Sequence, residues 1–170
     1  MVLLYNFFAR KRAAESAEGQ PGKPGPEVPG TGDGRSHVFV YGTLRRGFSN
    51  HRFLTGARFV GPGRTAESHG LYLEDGIPYL AAGEGRYPVV GEVYAVDAAI
   101  LAGLDELEEH PRVYARRPAA IVLDDGRRLV ARAYFADEPR GAPLASGDFA
   151  DARGASPRRG PDDPGGAAPR

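Results

Sequence analysis

The sequence predicts an α+β domain, rich in short strands and carrying one substantial helix. Three observations point there. Runs of β-branched and aromatic residues recur between Gly, Pro and Asp turn signals, most clearly Val38-Phe39-Val40 and Val89-Val90-Gly91-Glu92-Val93-Tyr94-Ala95-Val96. Ile121-Val122-Leu123 and Leu129 to Phe135 flank Asp124-Asp125-Gly126, the signature of a hairpin. Ala98 to His110 places apolar residues at helical spacing.

Taken in order, Met1 to Phe8 is an apolar patch followed by Arg10-Lys11-Arg12. A secretory signal carries its charges before a longer apolar run, and this run is too short to span a membrane. Residues 13–36 are mostly Glu, Gly, Pro, Ser and Lys, and cannot bury enough surface to offset their ordering entropy. Residues 1–36 are therefore expected to be a disordered leader, or an upstream extension from a wrongly assigned start codon. Residues 153–170 have the same character and are expected to be a disordered tail. The domain is then 37–152, an ordinary size.

Strand His37 to Thr43 runs into a loop bracketed by Gly42 and Gly47, a form that lets a ligand approach the main chain and leaves N–H groups for an anion or oxyanion. Ser49 or Asn50 is positioned to cap a short helix containing Arg52, Phe53 and Leu54 that stops at Gly56. Ala57 to Gly61 reads as a strand ended by Gly61-Pro62-Gly63. Gly70 to Leu73 is a short strand, turned by Asp75-Gly76 into Pro78-Tyr79-Leu80.

The helix has Asp97 as N-cap and Pro111 as its stop. Ile100, Leu101, Leu104 and Leu107 share one face. At about 100° per residue, Glu106 and Glu109 fall about 150° from that face, towards solvent, and Asp105 about 110°, on the flank. Glu108 falls only about 50° away, towards the packed side. A carboxylate there needs a partner or a proton. Two readings stand: an ion pair with a neighbouring arginine, or a functional carboxyl.

With 170 residues, 22 basic and 22 acidic, the chain has no net charge to draw it to nucleic acid or a membrane surface. Nearly all the basic residues are arginine, which with the abundant Ala, Gly and Pro reads as coding bias. The absence of cysteine removes disulfides, thiol nucleophiles and thiolate metal sites, and fits a reducing, cytoplasmic compartment. His51, His69 and His110 show no metal-ligand spacing with acids. Ser49 lies in no nucleophile elbow. Arg45 and Arg46 read as solvated loop charges, and Tyr72, Tyr79 and Tyr87 as core or wall residues.

Val38 to Gly47 reads VFVYGTLRRG and continues through Asn50-His51; Glu92 to Val96 reads EVYAV; Leu104 to Arg116 reads LDELEEHPRVYAR. Together these resemble the γ-glutamylcyclotransferase superfamily, most closely its γ-glutamylamine cyclotransferase and AIG2-like branch. The resemblance covers roughly residues 37 to 136, with a weaker match at Ala145-Ser146-Gly147-Asp148. It implies a small mixed β-barrel with a few helices packed outside. It also implies a substrate loop at Tyr41, Gly42, Thr43 and Leu44, a catalytic Glu108, and a Tyr114 that lines the pocket or belongs to the core. The segment from Thr65 to Arg86 has no firm counterpart. The glutathione-specific branch has a different loop after its Tyr-Gly.

The implied reaction is cyclisation of a γ-glutamyl amine or amino acid by its own α-amine, giving 5-oxoproline and a free amine. No metal or cofactor is required, because the nucleophile belongs to the substrate. The implied partner is that small molecule alone, in a monomer or weak homodimer. The rival function is a non-catalytic AIG2-like module that binds the same ligand without turnover. An RNA-binding reading lacks interleaved aromatics and a basic excess.

Overall fold

The computed structural model describes residues 31–83, 85–138 and 140–154. The expected leader up to residue 30 and the expected tail from 155 onward lie outside the described residues. Residues 31–35 form a turn closed by Thr31 N–H donating to Arg35 O at 2.8 Å, and Ser36 begins the first strand.

Seven strands follow: β1 (Ser36–Val40), β2 (Arg58–Glu74), β3 (Ile77–Ala81), β4 (Tyr87–Val96), β5 (Tyr114–Leu123), β6 (Arg128–Ala136) and β7 (Ala142–Pro143). β1 pairs antiparallel with β4, β4 with β2, β2 with β5, and β5 with β6. β6 returns to β1 in parallel at Val38 and Arg132, which closes a five-strand mixed barrel. β3 folds back from β2 at Asp75-Gly76 and meets β6 at Ala81 and Ala136; β7 lies on β2.

Strand alternation divides the core in two. Phe39, Val93, Ile121, Leu123 and Phe135 fill the barrel, with small Ala131 and Ala133 leaving them room. Val38, Val40, Val96, Tyr134 and Ala136 face the other way and pack beneath α1 (Ala98–Leu107). Asp97 caps α1, its side chain accepting from Ile100 N–H at 2.8 Å, and Leu104 is fully buried. Among the described residues the remaining helical structure is two 3₁₀ turns, His51–Leu54 and Phe149–Gly154.

Three expectations are corrected. The short helix after the loop is the 3₁₀ turn, and Asn50 makes no side-chain cap to it; its amide donates to Thr43 Oγ1 instead, at 3.0 Å. Gly61-Pro62-Gly63 does not end a strand but lies within β2, which also takes in the separately expected Gly70 to Leu73. The reason is close packing: a Cβ on Gly63 would sit 2.6 Å from Val122 O and 2.9 Å from Leu123 Cα. Pro62, with no N–H to offer, still accepts from Asp124 N–H at 3.0 Å.

The third concerns α1, which stops at Leu107 rather than His110. Glu109 takes a left-handed backbone, φ +50°, and reverses the chain before Pro111 is reached. Helical phase therefore holds for Glu106, which is exposed, and fails for Glu109, whose side chain is only 14% exposed.

Candidate active site

The loop after β1 is held by several independent ties. Asn50 N–H donates to Thr43 O at 3.0 Å, and His51 Nδ1 to Leu44 O at 3.1 Å. Arg46 N–H donates to Glu92 Oε2 at 3.0 Å, and the same oxygen accepts from Tyr94 OH at 2.8 Å. Arg45, expected to be a solvated charge, is largely buried and pairs with Asp148 at 2.5 Å. Arg46 is exposed, its guanidinium 4.2 Å from the centre of the Phe59 ring.

These ties leave three main-chain donors unused. The N–H groups of Gly42, Thr43 and Leu44 meet no acceptor among the described residues, although Gly42 and Leu44 are buried. Buried main-chain N–H groups are rarely left unpaired, so a stretch of three suits an anionic or carbonyl ligand.

All six residues singled out from the sequence line one cleft, which holds about 720 Å³ of empty space, its open mouth included. Tyr41, Gly42, Thr43 and Leu44 come from the loop, Glu108 from the end of α1, and Tyr114 from the start of β5. The side chain of Tyr41 packs with the barrel interior, and its hydroxyl donates to Tyr134 O at 2.6 Å. Tyr114 donates to Pro78 O at 3.1 Å and stacks on Tyr79, ring centres 5.7 Å apart.

Glu108 is partly buried at the C-cap of α1, its N–H still bonded to Leu104 O at 2.9 Å. Its carboxyl has no ion-pair partner among the described residues, and burial pushes its pKa from 4.5 up to about 7. The nearby cation is engaged elsewhere: Arg116 pairs with Asp105, which also accepts from Tyr134 OH at 2.7 Å. Burial and that bond to a carboxylate raise the Tyr134 phenol far above its ordinary value.

The rest of the cleft was foreseen only in part. Ile77, Pro78 and Tyr79 form the wall from within the Thr65 to Arg86 segment that had no firm counterpart, and of these Tyr79 had been read as a core or wall residue. Tyr134 and Asn50 also line it. A signal for Tyr134 was present, since it alternates with inward-facing Ala133 and Phe135 along β6. Glu109 lines the cleft too, which the helical phase had ruled against. Among the described residues no group of three or more His, Asp or Glu is placed to hold a metal ion, and no helix is long and apolar enough to cross a membrane.

A sequence model described as Gamma-glutamyl cyclotransferase, AIG2-like matches residues 38–151. The human protein named Gamma-glutamylaminecyclotransferase is 43% identical over 129 residues, 71% of this chain and 80% of its own. The crystal structure of a mouse AIG2-like protein superposes with a TM-score of 0.55 at 35% identity, covering 59% of this chain and 76% of the mouse chain. An uncharacterized protein from Pyrococcus horikoshii gives a TM-score of 0.56 at 33% identity, over 69% of this chain and 92% of that one. The matched region holds the closed barrel, the loop and the end of α1 together, and on that ground the chain belongs to the AIG2-like gamma-glutamyl cyclotransferase family, a family of cyclotransferase enzymes.

Proposed function

We propose that the cleft binds a γ-glutamyl amine or γ-glutamyl amino acid and converts it to 5-oxoproline and the free amine, with Glu108 as the proton carrier. One observation carries this reading: among the described residues, a carboxyl without an ionic partner, raised to about 7, shares a cleft with three main-chain N–H groups that meet no acceptor. The name of the human relative agrees with it.

The steps follow from the groups present. The ionised Glu108 takes a proton from the substrate α-ammonium. The freed amine attacks the γ-carbonyl carbon, forming the ring C–N bond and placing the carbonyl electron pair on oxygen. The Gly42, Thr43 and Leu44 N–H groups are the donors for that oxyanion, and one such donor is worth roughly 3–4 kcal/mol. As the oxyanion collapses and the bond to the leaving nitrogen breaks, Glu108 gives that nitrogen its proton, then carries the second proton from the ring nitrogen to the freed amine, which departs as its ammonium form. Base and acid are one group used twice, so no water is consumed and the carboxylate is regenerated. A pKa near neutrality suits both transfers, which together contribute about 10²–10⁴-fold. Holding the glutamyl arm folded supplies much of the remainder through proximity.

Release of 5-oxoproline from a panel of γ-glutamyl amines, γ-glutamyl dipeptides and glutathione tests the reading. Turnover of at least one amine or dipeptide is expected. Saturable binding with no 5-oxoproline from any member of the panel would replace the enzyme with a binding module.

A further inference from the structure

Asp105 lies three residues before Glu108, so the two Cβ positions fall on neighbouring parts of the α1 surface, about 5–6 Å apart for such a pair. The sequence placed Asp105 on the flank of the helix and gave it no role. In the structure it is the acceptor for two groups from the barrel. Oδ1 receives the Tyr134 hydroxyl from β6 at 2.7 Å, and Oδ2 is paired with Arg116 from β5. Both side chains of the pair are largely buried, Asp105 at 27% and Arg116 at 18% exposure.

His110, two residues on from Glu108, is partly buried, its Nδ1 accepting from Arg116 N–H at 3.2 Å and its ring edge-on to Tyr134. Tyr41 sits on the loop, Tyr79 on β3, Tyr114 on β5 and Glu109 on the turn after α1. The Tyr41 and Tyr114 hydroxyls donate to main-chain carbonyls. Glu109 lies 4.0 Å from Arg112, which is 80% exposed. Arg116, 18% exposed, is the better buried of the two arginines paired with carboxylates at this end of the helix, and Tyr134 is a cleft hydroxyl already bonded to a carboxylate. Tyr134 and Glu108 line the same cleft, and the charge of Glu108 is among those that raise the Tyr134 phenol.

We propose that Asp105 is a positioning residue: by binding Arg116 and the Tyr134 hydroxyl, it keeps both away from Glu108 and leaves that carboxyl free to carry the reacting proton. Without Asp105 the structural ion pair read from the sequence as one fate of Glu108 would form. Glu108 would then be a held carboxylate that accepts a proton poorly. The proposal deepens the function given above and rests on Glu108 being the proton carrier.

The test is direct titration of the Glu108 carboxyl by ¹³C NMR in the full chain, assigned by the signal lost in Glu108→Gln, alongside the pH profile of kcat/KM. Asp105→Asn keeps an acceptor for Tyr134 but no longer neutralises Arg116. Its Glu108 midpoint should fall by about 1–3 pH units, the effect of an opposite charge brought within a few ångströms, and the acid limb of the profile should fall with it. Arg116→Met leaves Asp105 uncompensated, and the Glu108 midpoint should rise; this variant carries the test if Asp105→Asn does not fold. The double variant should return towards the wild-type midpoint. An unmoved Glu108 midpoint in Asp105→Asn, or in Arg116→Met where that is the folded variant, overturns the proposal. Shifted midpoints in a protein that releases no 5-oxoproline support the positioning and overturn the reaction instead, so the two failures are distinguishable.

Discussion

Gly42 packs against the ring of Pro78 so closely that a Cβ on Gly42 would lie 2.4 Å from Pro78 Cγ. The loop after β1 and the strand β3 are therefore fitted to each other through the missing side chain. Pro78 also carries the carbonyl that receives Tyr114 OH. Gly42→Ala should cost about 1–3 kcal/mol in urea unfolding, as overpacking does, and should lower kcat/KM as well. Gly42→Ala with Pro78→Ala removes the offending Cγ and should recover most of the stability. Strict additivity of the two changes would show that this contact is not the cause.

The pH dependence of stability follows from Glu108. Its folded pKa of about 7 lies above the ordinary 4.5, so between those values the folded protein holds a proton that the unfolded chain has lost. Stability from this group is fully present below about 4.5 and is lost as pH rises through about 7. Glu108→Gln has no such dependence. Its stability relative to wild type should improve by up to about 3 kcal/mol between pH 4.5 and 8. Parallel curves for the two proteins would mean that Glu108 is not buried as described.

Glu109 offers a test of the turn that ends α1. A left-handed backbone costs an ordinary residue about 1–2 kcal/mol, and a β-branched residue more. Glu109→Gly should be at least as stable as wild type, while Glu109→Val should lose more than about 1 kcal/mol. Equal stabilities would place Glu109 in ordinary helical backbone, as the periodicity alone implied.

These two adjacent glutamates show what sequence conveyed here and what it did not. Local chemistry was readable: the Asp97 cap, the Asp124-Asp125-Gly126 hairpin, the strand entering the Tyr41 loop, and the phase of Glu108. Each depends on residues within a few positions of one another. A local reversal of the backbone and features set by distant contacts were not readable. Glu109 leaves the helical phase because the chain reverses before Pro111. Gly61-Pro62-Gly63 looks like a turn but is where β2 crosses tightly against β5. Arg45 looks solvated until Asp148, distant in sequence, comes to meet it. Asp105, Arg116 and Tyr134 form one network across α1, β5 and β6, and no local pattern links them.

The two clusters of buried side chains are completed by residues between Val38 and Ala152. A chain restricted to residues 31–154 should therefore unfold cooperatively and retain turnover. Cutting before Phe149 should not be tolerated, since that ring is 6% exposed, packs in the barrel cluster and lies 5.2 Å from Phe48. Its loss should cost about 3–5 kcal/mol. Loss of cooperative unfolding in the 31–154 chain would show that a terminal segment belongs to the domain.

The central claim is that Glu108 carries the proton, and turnover by Glu108→Gln tests it most directly. Gln keeps the size and the surroundings but cannot exchange the proton. 5-oxoproline release should fall by at least about 10²-fold, while a γ-glutamyl ligand still binds within a few-fold of wild type. Glu106→Gln is the control, because Glu106 is exposed on the same helix; its turnover should match wild type. Undiminished release by Glu108→Gln, or an equal loss in Glu106→Gln, would contradict the account.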